Sequence, residues 1–182
     1  MAASEQDQRS ERSRSPGLSP AQRVQDQVEG LSESALADRL EEEVSRASRH
    51  GTALSCLLVA IDELDDLAAR HGPELRAQAL AYAGPALRGE LRRFDRVGRP
   101  SENELLVILP GADGPRGEIV ARRMIDRLRA IKLEVGGVRR SLRVSVGLAA
   151  WQPDQSGAQL VDQAREAARR ERNGLANGLG AS

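Results

Sequence analysis

Arginine dominates the side chains of this sequence that could bind a ligand. Of its 27 basic residues only Lys132 is a lysine. A guanidinium group forms paired hydrogen bonds with a phosphate or with the edge of a guanine base. An arginine is followed three residues later by an aspartate at three places, which begin at Arg23, Arg92 and Arg123. A chain this rich in arginine contains such pairs by chance, so their number alone singles out none of them.

Cysteine and histidine, which often bind metals in proteins, are scarce. Cys56 is the one cysteine and lies in an apolar run, which excludes a disulfide framework and predicts a buried structural thiol. His50 and His71 each precede a glycine at a predicted helix end, where the helix dipole favours a cation. Dipole placement explains these histidines better than metal ligation does, and the sequence predicts no metal site built on them.

The overall composition excludes several classes of function. Twenty-seven basic residues balance 27 acidic ones, so no global charge draws the chain to nucleic acid or to an anionic membrane. Aromatic residues make up only 2% of the chain, which argues against a platform for stacking bases. We find neither a signal-peptide pattern nor an apolar run of about 18 residues. A cytoplasmic protein without nucleic-acid or membrane partners is expected.

The 182 residues suffice for one domain with short tails. Residues 1–30 are polar and charged and are expected to form a flexible tail, with helix from about Pro20 onward. Residues 31–174 are expected to form the domain, and the Gly-rich residues 175–182 a flexible C-terminal tail.

Hydrophobic periodicity predicts the elements that must position these side chains. A first helix ends at Gly51, and Leu57–Ile61 reads as a central strand buried on both faces. Two helices separated by Gly72 and Pro73 follow, then a hairpin with a polar turn over residues 100–104. The remaining pattern predicts a helix, a strand of alternating residues over 142–148 and a last helix. The apolar helix positions are Leu36, Leu40, Val44 and Ala47; Leu64 and Leu67; Leu80, Ala83, Leu87 and Leu91; Val120, Met124, Leu128 and Ile131; and Leu160, Ala164 and Ala168.

Four segments in this order resemble a degenerate GGDEF domain of the diguanylate cyclase family. They are the apolar segment Leu57–Leu64, the segment Asp95-Arg96-Val97-Gly98-Arg99 that enters the hairpin, the strand Leu105–Pro110, and Val144-Ser145-Val146-Gly147-Leu148-Ala149. The resemblance covers residues 36–173. It implies an α/β palm fold of the nucleotidyl-cyclase type, with a central, mostly antiparallel sheet flanked by helices.

Members of this family condense two GTP molecules into cyclic di-GMP by a metal-assisted attack on an α-phosphate, which requires carboxylates that hold divalent cations. In this register Ala60 stands at the first metal position and Asn103 at the second. The family signature aligns with Ser101, Glu102, Asn103, Glu104 and Leu105, so Glu104 alone keeps its type. The resemblance therefore implies no catalytic residues, no metal ligands and no cofactor, with Mg²⁺ relevant only to an active cyclase.

The positions that the family uses to read and neutralise GTP have also changed. Ala68 and Ala77 stand where an asparagine and an aspartate would pair with guanine, and Arg169, with Arg172 nearby, matches the lysine that neutralises the triphosphate. Asp62, Glu102 and Glu104 could in principle rebuild a metal site. We expect instead that Asp62 caps the following helix and that both glutamates are solvated loop residues.

One family site keeps its register. Arg92-Arg93-Phe94-Asp95 aligns with the R-x-x-D product site, and Arg123 falls where a further arginine completes the grip on guanine. The alternative is structural, with Arg92 and Arg93 ending a long helix and Asp95 starting a strand.

Three functions remain open at this point. The first is a catalytically inactive signalling domain that binds cyclic di-GMP through Arg92, Asp95 and Arg123. The second is an interaction or dimerisation module that binds a protein partner, or a second copy, without nucleotide. The third is a diverged cyclase that uses Asp62, Glu102 or Glu104.

Overall fold

The described residues form a four-stranded antiparallel sheet covered by helices, with a two-stranded hairpin beside it. The computed structural model describes residues 30–179, with the backbone alone over residues 175–179. The helices are α1 (Glu33–His50), α2 (Leu64–His71), α3 (Glu74–Arg88), α4 (Gly114–Ala130) and α5 (Gly157–Leu179). The strands are β1 (Leu54–Ile61), β2 (Arg96–Ser101), β3 (Glu104–Pro110), β4 (Lys132–Val135), β5 (Val138–Ser141) and β6 (Val144–Ala150).

The four-stranded sheet has the order β2-β3-β1-β6, and every neighbouring pair is antiparallel. Strand β1 lies inside the sheet, as its unbroken apolar run predicts. Its residue Ala60 lies opposite Glu104 of β3 and opposite Ser145 of β6. This register brings the end of β1, the start of β3 and the start of β6 together at one edge of the sheet.

Each face of the sheet buries its own apolar cluster. Helices α3 and α4 cover one face, where Leu87 and Met124 are fully buried beside Leu57 of the central strand. Helices α1 and α5 cover the other face, where Leu40 and Leu160 are buried. A fully buried leucine stabilises the fold by about 1.5–3 kcal/mol relative to an exposed one, so the two clusters fix the helices on the sheet.

Local signals begin and end the first helix, and its end at Gly51 is the one that the sequence predicts. Ser32 is the N-cap of α1, and its hydroxyl accepts a hydrogen bond from the backbone N–H of Ala35 at 3.5 Å. Gly51 ends the helix in the left-handed conformation, with φ of 60°. His50 and His71 lie in the last turns of α1 and α2, which confirms their predicted placement at helix ends.

A glycine allows α5 to approach the sheet closely. A Cβ atom at Gly147 of β6 would lie 1.9 Å from the carbonyl oxygen of Ala164 and 2.4 Å from the backbone nitrogen of Ala168. Only a residue without a side chain fits here. Gly147 therefore sets the depth at which α5, which carries Arg165, Arg169 and Arg172, lies against the sheet.

The first described residues extend the sheet at its β2 edge. The N–H of Leu31 donates to the carbonyl of Val97 at 2.9 Å, and the N–H of Arg99 donates to the carbonyl of Leu31 at 3.1 Å. Leu31 thereby forms an isolated parallel bridge with Gly98. The backbone ahead of α1 is thus attached directly to β2.

Several predicted boundaries are wrong. Helix α3 ends at Arg88 and α4 at Ala130, so Leu91 and Ile131 lie beyond them, and Leu142 lies outside β6. The sequence reading missed the β4–β5 hairpin, whose turn is Gly136-Gly137 with positive φ at both residues. Helix α5 runs to Leu179. Of the predicted N-terminal tail, residues 1–30, positions 1–29 lie outside the described residues.

Candidate functional site

A cleft of about 420 Å³ lies at the edge of the sheet where β1, β3 and β6 meet. The end of β1, the start of α2, the β2–β3 turn and one face of α5 form its walls. Ala60, Asn103 and Glu104 line it, and so do Arg169 and Arg172. The fold therefore assembles the predicted signature and the predicted triphosphate-side arginines around one cavity.

Asp62 is buried behind this cleft rather than exposed at the start of a helix. Its Oδ2 accepts a hydrogen bond from the Ser145 hydroxyl at 2.8 Å, and its Oδ1 lies 3.9 Å from a guanidinium nitrogen of Arg172. Burial raises the pKa of Asp62 above its ordinary value, against the lowering effects of Ser145 and Arg172. The expected helix-capping role is wrong, because the N-cap position of α2 is Glu63 and no side chain caps that helix.

The turn between β2 and β3 is tied to the helices that follow β1. The amide nitrogen of Asn103 donates to Asp65 at 2.7 Å. The guanidinium of Arg76 pairs with Asp65 and, at 3.2 Å, with Glu102. The hydrogen bond from Asn103, followed by that from Arg76, holds the pKa of Asp65 below its ordinary value. This network joins the signature turn to α2 and α3.

Glu104 is engaged by its neighbours at both carboxylate oxygens. Arg165 donates from Nε to Oε1 at 3.2 Å and from Nη2 to Oε2 at 3.1 Å, and the Ser101 hydroxyl donates to Oε2 at 3.0 Å. The Glu104 side chain is 18% exposed, and its hydrogen bonds are the main reason that the pKa of Arg165 is raised. The expectation of a solvated loop glutamate is wrong for Glu104, which begins β3, whereas Glu102 is 79% exposed.

The two alanines at the positions that the family uses to read guanine are not among the residues that line the cleft. Ala68 is buried in α2 and Ala77 is exposed on α3, so neither presents a polar side chain. Arg169 pairs with Glu166 at 3.0 Å, one turn earlier on α5. Within the part of the chain that the structure describes, no three cysteine, histidine or acidic side chains form a group that could hold a metal ion.

The retained R-x-x-D segment forms a compact turn between α3 and β2. The Asp95 carboxylate accepts a hydrogen bond from the backbone N–H of Arg92 at 2.8 Å, and the Asp95 N–H donates to the Arg92 carbonyl at 3.1 Å. Burial raises the pKa of Asp95, while Arg92, Arg96 and Arg123 act in the opposite direction. The expectation that Arg92 and Arg93 end a helix is wrong, because α3 stops at Arg88.

Arg123 of α4 is held against this turn by Glu90. Its Nη2 donates to the Glu90 carbonyl at 3.2 Å, and its Nε lies 3.7 Å from Glu90 Oε2. Arg123 is also close enough for its charge to affect the pKa of Asp95. Arg123 thus lies beside the turn that holds Arg92 and Asp95, and the role of these three residues as a binding site stays a prediction.

Of the other two R-x-x-D pairs, only the one on α4 lies among the described residues, and it is part of a helix rather than of a turn. Arg23 and Asp26 lie outside the described residues, and Arg123 and Asp126 are both exposed on α4.

Cys56 is fully buried, which confirms the predicted structural thiol, and burial raises its pKa to about 12.

Sequence reasoning missed four residues of these two sites, namely Asp65, Arg76, Glu90 and Arg165. The contact of Arg165 with Glu104 joins residues 61 positions apart in the chain, and that of Arg127 with Glu90 joins residues 37 apart. No local pattern signals either pair.

The chain matches the family described as "Diguanylate cyclase, GGDEF domain" over residues 24–177. It is 27% identical over 143 residues to the diguanylate cyclase DgcP of Pseudomonas aeruginosa, a match that covers 78% of this chain and 21% of DgcP. This chain therefore spans about a fifth of the length of that relative.

Two solved structures share the fold. The diguanylate cyclase SiaD of Pseudomonas aeruginosa, in complex with its activator SiaC, superposes with a TM-score of 0.75 at 26% identity, over 80% of this chain and 56% of SiaD. The GGDEF domain of DgcB from Caulobacter crescentus, in complex with c-di-GMP, superposes with a TM-score of 0.73 at 18% identity, over 79% of this chain and 85% of that domain. The expected palm fold, an antiparallel sheet flanked by helices, is confirmed.

None of the described helices is long and apolar enough to cross a membrane.

Proposed function

Since the chain belongs to the GGDEF domain family of diguanylate cyclases, we propose that it is a member that does not condense GTP and that binds cyclic di-GMP at Arg92, Asp95 and Arg123. In this proposal the domain acts as a receptor for the second messenger and passes the bound state to a protein partner or to a second copy. The partner and the signalling output are properties of the whole protein, and this chain spans only about a fifth of the length of DgcP.

The observation that carries the binding proposal is that Arg123 of α4 lies beside the turn that holds Arg92 and Asp95, close enough for its charge to act on Asp95. Asp95 Oδ2 is taken up by the backbone of Arg92, and Oδ1 has no hydrogen-bond partner among the described residues. A carboxylate oxygen accepts from the N1 and N2 donors of guanine, and a guanidinium donates to its O6 and N7 acceptors. Asp95 with Arg92 and Arg123 therefore offers complementary groups to both edges of one base.

The cleft supports the absence of catalysis. Metal-assisted phosphoryl chemistry needs carboxylates that neutralise divalent cations beside the triphosphate. Ala60 offers a methyl group, and the Asn103 amide is hydrogen-bonded to Asp65. Glu104 is already neutralised by Arg165. The residues present therefore do not fit a pair of divalent cations.

Titration calorimetry with cyclic di-GMP tests the binding proposal. We expect binding by the wild type and at least a tenfold loss in Arg92→Ala and in Arg123→Ala, the loss that bidentate arginine contacts to guanine give. Arg122→Ala, which removes an exposed arginine from the adjacent position on α4, is the matched control and should bind as the wild type does. Absence of heat with the wild type at about 100 μM cyclic di-GMP would refute the proposal.

Turnover of labelled GTP with Mg²⁺ or Mn²⁺ tests the catalytic part separately. We expect no cyclic di-GMP above a protein-free control. Product formation that is lost in Glu104→Gln would instead support the diverged cyclase.

A purely protein-binding module is the second candidate, and one observation favours it. Phe94 is 67% exposed at the tip of the Arg92–Asp95 turn, and a large exposed aromatic side chain is a common anchor of protein interfaces. SiaD, one of the relatives, is known in complex with a protein activator. Phe94→Ala would then abolish partner capture in a domain that binds no cyclic di-GMP.

A further inference from the structure

Glu90 connects the R-x-x-D turn to two arginines of α4. Its Oε1 accepts from Arg127 Nε at 2.8 Å, its Oε2 lies 3.7 Å from Arg123 Nε, and its carbonyl oxygen accepts from Arg123 Nη2 at 3.2 Å. The Glu90 side chain is only 18% exposed, whereas those of Arg123 and Arg127 are 52% and 65% exposed. One largely buried carboxylate thus restrains two exposed cations on the neighbouring helix.

The backbone around Glu90 is itself fixed. Its N–H donates to the Leu87 carbonyl at 3.0 Å, and the N–H of Leu91 donates to the Arg88 carbonyl at 3.1 Å. These bonds continue the last turn of α3 up to the residue before Arg92. Glu90 therefore has a rigid base and stands two residues from one proposed ligand contact.

The contacts of Glu90 select one edge of the Arg123 guanidinium. They use Nε and Nη2, and Nη1 has no partner among the residues that the structure describes. A guanidinium has five N–H donors in a fixed plane, and two on one edge suffice for a base. The edge formed by Nη1 and the second hydrogen of Nη2 is therefore left for a ligand. An arginine held in this way loses less side-chain entropy when it binds than a free one does.

We propose that Glu90 is a positioning residue, which holds Arg123 with its terminal edge free to bind guanine beside Asp95. This inference rests on the proposed function, because it assigns Glu90 to the same cyclic di-GMP site. Arg127 binds the other carboxylate oxygen of Glu90, so the negative charge of Glu90 is shared between Arg127 and Arg123.

Glu90→Gln tests this role with two independent measurements, and Glu118→Gln, an exposed glutamate of α4, is the matched control. Calorimetry should give about two- to fivefold weaker cyclic di-GMP binding for Glu90→Gln, the range expected for one partly exposed ion pair. Glu118→Gln should bind as the wild type does. Equal affinities of wild type and Glu90→Gln would overturn the proposal.

The second measurement needs no ligand. NMR of the arginine Nε–Hε groups should show a slowly exchanging Arg123 signal in the wild type that shifts and exchanges faster in Glu90→Gln. An Arg123 signal that is the same in both proteins overturns the positioning role. If the wild type binds no cyclic di-GMP, the proposed function fails, and this spectrum alone decides whether Glu90 positions Arg123.

Discussion

Arg165 and Glu104 form a bidentate ion pair across the cleft, with N–O distances of 3.2 and 3.1 Å. The pair joins α5 to the first residue of β3, directly opposite Ala60 in the strand register. Asp162 also binds Arg165, at 3.1 Å. The Arg165 guanidinium thus supplies the positive charge that neutralises Glu104 in the cleft.

Loss of this pair should lower stability measurably. We expect Arg165→Gln to reduce the free energy of unfolding by about 1 kcal/mol, less than for a fully buried pair because the Arg165 side chain is 35% exposed. Arg169→Gln, which removes the more exposed pair with Glu166 within α5, should cost at most about 0.5 kcal/mol. Urea denaturation of both variants measures the difference, and equal losses would contradict the special role of Arg165.

Asp62 should make the folded state less stable as the pH rises. Burial raises its pKa in the folded state, so the folded protein holds this proton to higher pH than the unfolded chain does. Stability therefore falls between the ordinary value of 3.8 and the raised value and is then constant. We expect the stability of Asp62→Asn relative to wild type to be greater at about pH 7 than at about pH 3. Asp66→Asn, an exposed control, should show no such trend in denaturation experiments at the two pH values.

Asp65 should have the opposite effect. The hydrogen bonds from Asn103 and Arg76 lower its pKa, so its contribution is complete above the ordinary value of 3.8 and is lost as the pH falls through the lowered value. Asp65→Asn should destabilise the protein at about pH 7, and the deficit should shrink toward about pH 2. The effect will be small, since the side chain is 68% exposed. A deficit independent of pH in the same denaturation series would rule out this account.

Gly147 should tolerate no side chain. The Cβ of Gly147→Ala would overlap the backbone of α5 at 1.9 Å, and relief requires the helix to move. We expect a loss of at least about 3 kcal/mol, or an unfolded protein, by analogy with overpacked cores. Gly174→Ala, where nothing lies within 4 Å, should instead stabilise α5 by up to about 1 kcal/mol. Thermal denaturation of the two variants, read against the wild type, compares them directly.

Local periodicity predicted the elements that bury a continuous face. Leu36, Leu40, Val44 and Ala47 are buried in α1 as their spacing indicates, because each contacts the core through one side of a single helix. The β4–β5 hairpin was not predicted from the sequence, although Gly136-Gly137 is a known turn signal. Its two strands are only four residues long, which is too short for a clear periodicity.

The polar contacts could not be predicted in this way. Asp62 and Ser145 are 83 residues apart, and their hydrogen bond exists only because β1 and β6 are neighbours in the sheet. Asp62 therefore looked like an ordinary residue before a helix. Glu90 likewise gave no signal, because its partners lie on a helix whose position depends on the packing of the whole core.

The bridge between Leu31 and Gly98 links the incoming chain to a strand with a site at each end. β2 begins directly after Asp95 and ends at Ser101, next to the cleft. A twist or pull applied to the polypeptide upstream of Gly30 would be transmitted through two backbone hydrogen bonds to both places at once. A ligand that shifts the Asp95 turn would therefore act on a strand that is hydrogen-bonded to the backbone ahead of α1.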